Sequence, residues 1–311
     1  MPTSRSILIL SDDPDDADLG DLSNLVRDYG VDLTLLTPND LTIRLDGSGG
    51  HFWHMDVQLR PDLVVGWVRE NLFQHSAAQL ETFERLSVPV LDSARVLMQG
   101  HSPYLKSLLL HTAKVSHLPL VAGRAPQAVI ELAKEVGYPI AVRPLGFPSP
   151  DGDPLGGAVN FDNEGSLRRF LTERAAAERF YMQFQVRRIG RSARVFCVNH
   201  HPVACLLTAP DDWPTALEST PWDIAAIAAQ ASRAVGGWAC LVEVVEDLDG
   251  GCLQIRNVSV GPRLEADLSW AEARPVVLKA QAHFLSALVA SGPRTLHHWR
   301  PPSPDSMRKP E

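Results

Sequence analysis

VGYPIAVRPLGFPSPDGDPLGGAVNF, residues 136–161, reads as two strands joined by a long loop. The first strand, YPIAVRPL, carries Arg143 near its end. The loop mixes Gly146, Gly152, Gly156 and Gly157 with Pro148, Pro150 and Pro154. Its place between strands suits phosphate handling, yet each proline removes an N–H that a phosphate would use. Whether this is a phosphate loop or a plain hairpin depends on what flanks it.

Downstream, NEGSLRRFLTERAA reads as a helix capped by Asn163, followed by three strand-like runs, RFYMQFQV, ARVFCVN and HPVACLLT. PWDIAAIAAQASRAVG is a helix leading into WACLVEVVED and CLQIRNVSV, a strand pair joined by the turn LDGG. EARPVVLKAQAHFLSALVA is the last helix, and the Pro-rich end of the chain is expected to be disordered. Upstream, residues 96–137 read as helical: Leu105, Leu108 and Leu109 recur at helical spacing, and Gly137 stops the second helix. Before residue 96, the runs Ile7–Leu10, VDLTLLT, LTIRLDGSGGHFWHMDV, PDLVVGWV and VPVLD alternate with helical segments. That alternation predicts a parallel sheet with helices on its faces. The expected organisation is an α/β unit over 1–95, a central part over 96–186, a C-terminal part over 187–292 and a tail over 293–311.

A chain of 311 residues exceeds one small core; roughly 100–200 residues per domain gives two or three. With 45% apolar and 21% charged residues it has the balance of a soluble globular protein. A net charge of −8 argues against a nucleic-acid partner, which calls for a basic face. No apolar run approaches the ~20 residues of a membrane helix. MPTSRSILILSDD reads as a first strand, because acids follow its short apolar run where a signal peptide would continue. Cys197, Cys205, Cys240 and Cys252 lie in apolar strand-like segments without CxxC spacing, so they read as buried thiols of a cytoplasmic protein. The acidic run Asp12, Asp13, Asp15, Asp16, Asp18 lacks the spacing of a calcium loop and reads as acids at a helix N-terminus. Neither a Gly-x-Ser-x-Gly elbow nor a Walker-type lysine motif occurs.

The joint order after residue 96 is two helices, strand–loop–strand, helix, several strands, helix and strand pair. With the α/β unit before it, this order resembles the ATP-grasp superfamily, most closely its RimK-type and LysX-type ligases, over about residues 5–290. The resemblance implies an α/β fold with an N-terminal parallel domain and two ATP-grasp subdomains with mixed or antiparallel sheets. It implies that Lys106 in SPYLKSLLLH and Arg143 in PIAVRPLG contact the phosphates of ATP, with GFPSPDGDPLGG as the lid. In the same way Gln183, Phe184, Gln185 and Val186 border the adenine, and Arg194 in GRSARVF is the catalytic candidate facing substrate or transferred phosphate. Glu243 in CLVEV and Asn257 in LQIRNVS are the implied magnesium ligands. The implied partners are a carboxylate and an amine, as small molecules, amino acids or a peptide. A homo-oligomer is compatible with the resemblance; a nucleic acid or a membrane is not expected.

This chain departs from the pattern at Arg143, which stands for a lysine, and at Phe184 and Ser192, which stand for acids. Most consequentially, Ile255 stands where a second metal carboxylate belongs, which counts against Mg2+. Side chains alternate along a strand, so Ile255 and Asn257 are expected on one face and Gln254 and Arg256 on the other, unless a bulge shifts the phase. After such a shift Gln254 would bring an oxygen but no charge, and a compensating acid would have to come from the loops, from Asp247, Asp249, Glu265 or Asp267. Two functions follow. One is an ATP-dependent carboxylate–amine ligase working through an acyl phosphate, favoured by Lys106, Glu243 and Asn257. The other is a nucleotide- or partner-binding protein of the same fold without turnover, favoured by Ile255, Ser192 and the Pro-rich lid.

Overall fold

The computed structural model describes residues 5–47, 49–68, 72–123, 125–144, 159–174, 180–184, 189–209, 214–217, 219–264, 267–292 and 299–302. The first unit runs β1 (Arg5–Ser11), α1 (Ala17–Asp28), β2 (Val31–Leu36), β3 (Leu41–Asp46), β4 (Gly49–His54), β5 (Val57–Leu59), β6 (Leu63–Trp67), α2 (Phe73–Arg85) and β7 (Val90–Leu91). Four of these strands form the expected parallel sheet, in the order β2-β1-β6-β7. Alternate residues of β1 feed two cores, as a strand covered on both faces requires: Ile7 and Ile9 join one buried cluster, Leu8 and Leu10 another. The run LTIRLDGSGGHFWHMDV departs from that sheet; with β5 it makes a separate antiparallel sheet, β3-β4-β5.

The central part comprises α3 (Ala94–His101), α4 (Pro103–Thr112), β8 (Leu120–Gly123), α5 (Pro126–Val136), β9 (Ile140–Pro144), β10 (Val159–Phe161), α6 (Glu164–Arg174) and β11 (Phe180–Phe184). The two strands read within residues 136–161 pair with each other: β9 and β10 are antiparallel in a sheet ordered β10-β9-β11-β8. Asn163 caps α6 as expected, its Oδ1 accepting from Ser166 N at 3.0 Å. Strand β8 corrects the reading of 96–137 as helical. Its four residues carry no period of their own, and β11, some sixty residues on, defines it.

The third part comprises β12 (Ile189–Val198), β13 (His201–Thr208), β14 (Thr215–Leu217), α7 (Trp222–Val235), β15 (Ala239–Asp247), β16 (Cys252–Val260) and α8 (Arg274–Ser291). Its antiparallel sheet runs β14-β13-β12-β15-β16. Ile224, Ala228, Ala231 and Val235 of α7 pack against Val195, Val242 and Val244 on one face. On the other, Val277, Phe284 and Leu285 of α8 share a single core with Phe196, Leu206 and, from the first unit, Ile7, Leu22 and Val26. The N-terminal unit and the last helix are therefore halves of one core.

Charge locks the same junction. Asp16 caps α1, and Asp18 accepts from Leu264 N and Arg274 Nε, each at 2.6 Å. Arg274 also meets Asp21 at 2.7 Å, and Arg263 lies 3.1 Å from Asp13 and 3.2 Å from Asp16. The acidic loop is an ion-paired clamp, in line with its reading as helix-terminal acids. Trp299 overturns the expectation of a tail disordered throughout from residue 293. It is buried in the α8 core and donates from Nε1 to His283 Nδ1 at 3.1 Å. Cys197, Cys205 and Cys240 are buried, and desolvation pushes the Cys240 thiol up to about 12; Cys252, at a hairpin end, is exposed, against expectation. No helix among the described residues is long and apolar enough to cross a membrane.

A pH effect arises at the β12–β13 turn. His200, at φ 65°, lies 3.0 Å by its Nδ1 from Ser232 Oγ. Burial, then the charges of Arg233 and His201, lower its pKa from 6.5 to about 4. Between those values the unfolded chain binds a proton that the folded chain does not. Stability from this site is full above pH 6.5 and is lost as pH falls towards 4. His200→Asn, which tolerates positive φ, should remove on the order of 2 kcal/mol of acid-side loss, read as the variant-minus-wild-type difference in urea midpoints at pH 7 and 4.5.

Candidate active site

Strand β16 decides the chemistry. Leu253, Ile255, Val258 and Val260 all pack into the α7 core, so the inward positions are spaced two, three and two apart. The register shift is a bulge: Glu243 of β15 stands opposite Asn257, Val244 stands opposite Ile255, and Arg256 is the extra residue between them. Ile255 is held from its outer side as well, its N donating to Ser116 O at 2.8 Å and its O accepting from Leu118 N at 3.0 Å. The expectation that Ile255 and Asn257 share a face is therefore corrected. Ile255 is 1% exposed in the core, while Asn257 lies on the opposite face. The residue that shares the Asn257 face is Gln254, opposite Val245.

On that face the sheet presents a row, Arg194–Glu243–Asn257, of directly opposed residues on β12, β15 and β16. The adjoining row is Ser192–Val245–Gln254. Helix α4 brings Lys106 to the first row from the edge. Its Nζ donates to Asn257 Oδ1 and to Val258 O, both at 2.9 Å. The Asn257 amide then turns its Nδ2 to Glu243 Oε1 and to Ser259 Oγ, each at 3.2 Å. Asn257 thus couples an ammonium to a carboxylate through one planar group. Two residues 151 apart in sequence meet because Ser102 caps α4, accepting from Leu105 N at 3.3 Å, and so aims the first turn of the helix at the sheet edge.

Arg194 is engaged at the other end of the row. It ion-pairs with Asp267, donates to Ser269 Oγ at 2.7 Å, and its guanidinium carbon lies 6.0 Å from the Trp270 ring centre. Burial works to raise the Asp267 pKa, but hydrogen bonds from Ser269 and the Arg194 guanidinium outweigh it and hold the acid below its ordinary value. Asp267 thus neutralises Arg194, while Asp247 and Asp249 lie at the β15–β16 hairpin end. Among the described residues no group of three His, Cys, Asp or Glu side chains could hold a metal. Glu243 is the carboxylate within the two rows.

The structure thus brings together Lys106, Glu243, Asn257 and Arg194. Arg143 lies on β9 opposite Tyr181. Its side chain, and those of Gln183 and Phe184 on β11, lie outside the described residues, as do Gln185, Val186 and the lid, 145–158. A cavity of about 20 Å³ bordered by Lys106, Ser107, His117 and Arg256 has room for about one water. A larger hollow of about 380 Å³ lies away from the rows, at Gly50, His51 and Gln58 of the β3–β5 sheet. Sequence reasoning missed Ser259 and Ser269, and it offered Asp267 as a loop acid for the metal, not as the partner of Arg194. Ser259 follows Asn257 at the strand period and was open to the same argument; Ser269 reaches Arg194 only through the fold.

This architecture, a parallel α/β unit followed by two antiparallel sheets with their helices, is the ATP-grasp ligase fold. The ligase PsnB complexed with its minimal precursor is similar over 91% of this chain and 99% of its own, at 17% identity and a TM-score of 0.71. The macrocyclase MdnC of Microcystis aeruginosa, bound with precursor peptide MdnA, is similar over 92% of this chain and 100% of its own, at 13% identity and a TM-score of 0.69. The D-cycloserine synthetase DcsG matches at 17% identity over 91% of this chain and 99% of its own, with a TM-score of 0.62. PsnB has also been solved with a phosphomimetic precursor, Mg and ADP, and that structure covers 93% of this chain at 15% identity and a TM-score of 0.71. No protein-family model matches the sequence.

Proposed function

We propose that this chain is an ATP-dependent ligase that joins a carboxylate to an amine through an acyl phosphate, with a peptide as the carboxylate-bearing substrate. The observation that carries the reading is the Lys106–Asn257–Glu243 chain of contacts. It sets an ammonium and a carboxylate on the two sides of one amide, on a fold shared with precursor-peptide ligases. Lys106 would hold terminal phosphates of ATP, and Arg143 the inner ones. Gln183, Phe184, Gln185 and Val186 would border the adenine, and the lid at 145–158 would cover it. Arg194 would receive the reacting carboxylate or the transferred phosphoryl group, exchanging Asp267 for it.

The oxygens on this face fit a hard divalent cation: Glu243 supplies a carboxylate, and the Asn257 amide oxygen has a second lone pair beyond the one Lys106 uses. When bound, Mg2+ would neutralise phosphate charge as the γ-phosphoryl leaves ATP. The protein's own share is to orient the phosphates from Lys106, to place the substrate carboxylate at Arg194 and to keep water from the acyl phosphate. A second reading, a nucleotide-binding protein of this fold without turnover, is favoured by one observation: Glu243 is the one carboxylate among the described residues of the two rows.

Thermal unfolding with ATP, with and without Mg2+, tests both. Ligand at a hundred times its Kd stabilises by about 2.7 kcal/mol. The ligase is expected to melt higher with ATP and higher again with Mg2+. Glu243→Gln should erase the Mg2+ increment while leaving most of the ATP shift. A shift insensitive to Mg2+ in the wild type favours the second reading, and no shift with either addition defeats both.

A further inference from the structure

The bulge at Arg256 puts Gln254 on the face that carries Glu243 and Asn257. Its Oε1 is buried and has no hydrogen-bond partner among the described residues, while its Nε2 donates to Cys252 Sγ at 3.6 Å. A buried amide oxygen without a donor costs about 1–3 kcal/mol. An acceptor left in that state points to a donor or cation supplied by a ligand.

We propose that Gln254, not the residue at 255, is the third oxygen donor to a divalent cation at this site, beside Glu243 and Asn257. The inference rests on the ligase reading for the presence of the cation. Its content is specific to this chain. Residue 255 is committed to the hydrocarbon core by the bulge, so a carboxylate placed there cannot serve the site. The outward position one residue earlier carries a neutral amide instead. The three protein oxygens therefore bring one negative charge, and the cation is held mostly by the phosphates of the nucleotide. Affinity for the free ion is low and is set by residue 254.

Mn2+ titrations of the full chain, followed by electron paramagnetic resonance with and without a non-hydrolysable ATP analogue, test this on wild type, Gln254→Glu, Gln254→Leu and Ile255→Glu. Gln254→Glu is expected to tighten Mn2+ at least tenfold in both conditions. Gln254→Leu is expected to melt higher than wild type without ligands, because it removes the orphaned oxygen, and to weaken Mn2+ at least fivefold with the analogue. Ile255→Glu is expected to melt lower and gain no Mn2+ affinity. The assignment is overturned if folded Gln254→Glu binds Mn2+ within twofold of wild type, or if Ile255→Glu provides the gain. It is equally overturned if Gln254→Leu melts lower with Mn2+ binding unchanged, the signature of a purely structural glutamine. Failure of the wild type to bind the analogue defeats the ligase reading alone, since the nucleotide-free Mn2+ arm still reads residue 254.

Discussion

Asp92→Asn is expected to stabilise the protein, by an amount that grows with pH. Asp92 directly follows β7, at φ 49°, with its side chain in the interior, where it is 4% exposed. Its Oδ1 accepts from Trp238 N at 3.0 Å, and its Oδ2 has no hydrogen-bond partner among the described residues. Burial raises its pKa from 3.8 to about 8, and the Trp238 N–H offsets only part of that rise. Between those two values the folded chain holds a proton that the unfolded chain has released. Stability from this group is therefore full below pH 3.8 and falls as pH rises towards 8. At pH 7 the penalty is on the order of 4 kcal/mol. Asparagine keeps an acceptor for the Trp238 N–H, tolerates positive φ and carries no charge. Thermal melts at pH 4, 6 and 8 should show the variant close to wild type at pH 4 and several degrees above it at pH 8. A difference that does not change with pH would mean that the carboxyl does not titrate in this window.

Lys106→Met should separate two roles of one side chain. In the free protein it removes the donor to Asn257 Oδ1 and Val258 O. Leaving such acceptors unsatisfied costs about 1–3 kcal/mol. In the proposed complex it also removes the ammonium from the phosphates, and losing a charge-assisted contact of this kind should weaken nucleotide binding about a hundredfold. Lys106→Arg should fall between the two, because the guanidinium is wider and cannot occupy the same point. Calorimetric titration with a non-hydrolysable ATP analogue measures the affinity, and denaturant unfolding without ligand measures the structural cost. Wild-type affinity in a destabilised Lys106→Met would confine this lysine to bracing Asn257.

Each of these residues meets a partner more than a hundred residues away in the chain, and that shows what kind of information each level carries. The parallel unit was legible because β1 and β6 are short apolar runs between helical periods, and local pattern suffices for that. The helix stops at Gly137 and the cap at Asn163 were legible for the same reason: both are local hydrogen-bonding events. Strand β8 was not, since its four residues acquire their state from β11. Trp299 was not, since a lone tryptophan among prolines gives no local sign that α8 and His201 will enclose it.

At the candidate site the division is sharper. Residue identity sets which chemical groups are available: an ammonium at 106, a carboxylate at 243, amides at 254 and 257, a guanidinium at 194, and hydrocarbon at 255. Which of them meet is a matter of long-range strand pairing and packing. Strand alternation is a rule for an unbroken ladder, and one extra residue at Arg256 inverts it for everything that precedes it on β16. The bulge is held by contacts from β15 on one side and the 116–118 segment on the other. Those contacts span more than a hundred residues of chain, so no window around LQIRNVS contains the reason that Gln254 faces the site and Ile255 does not.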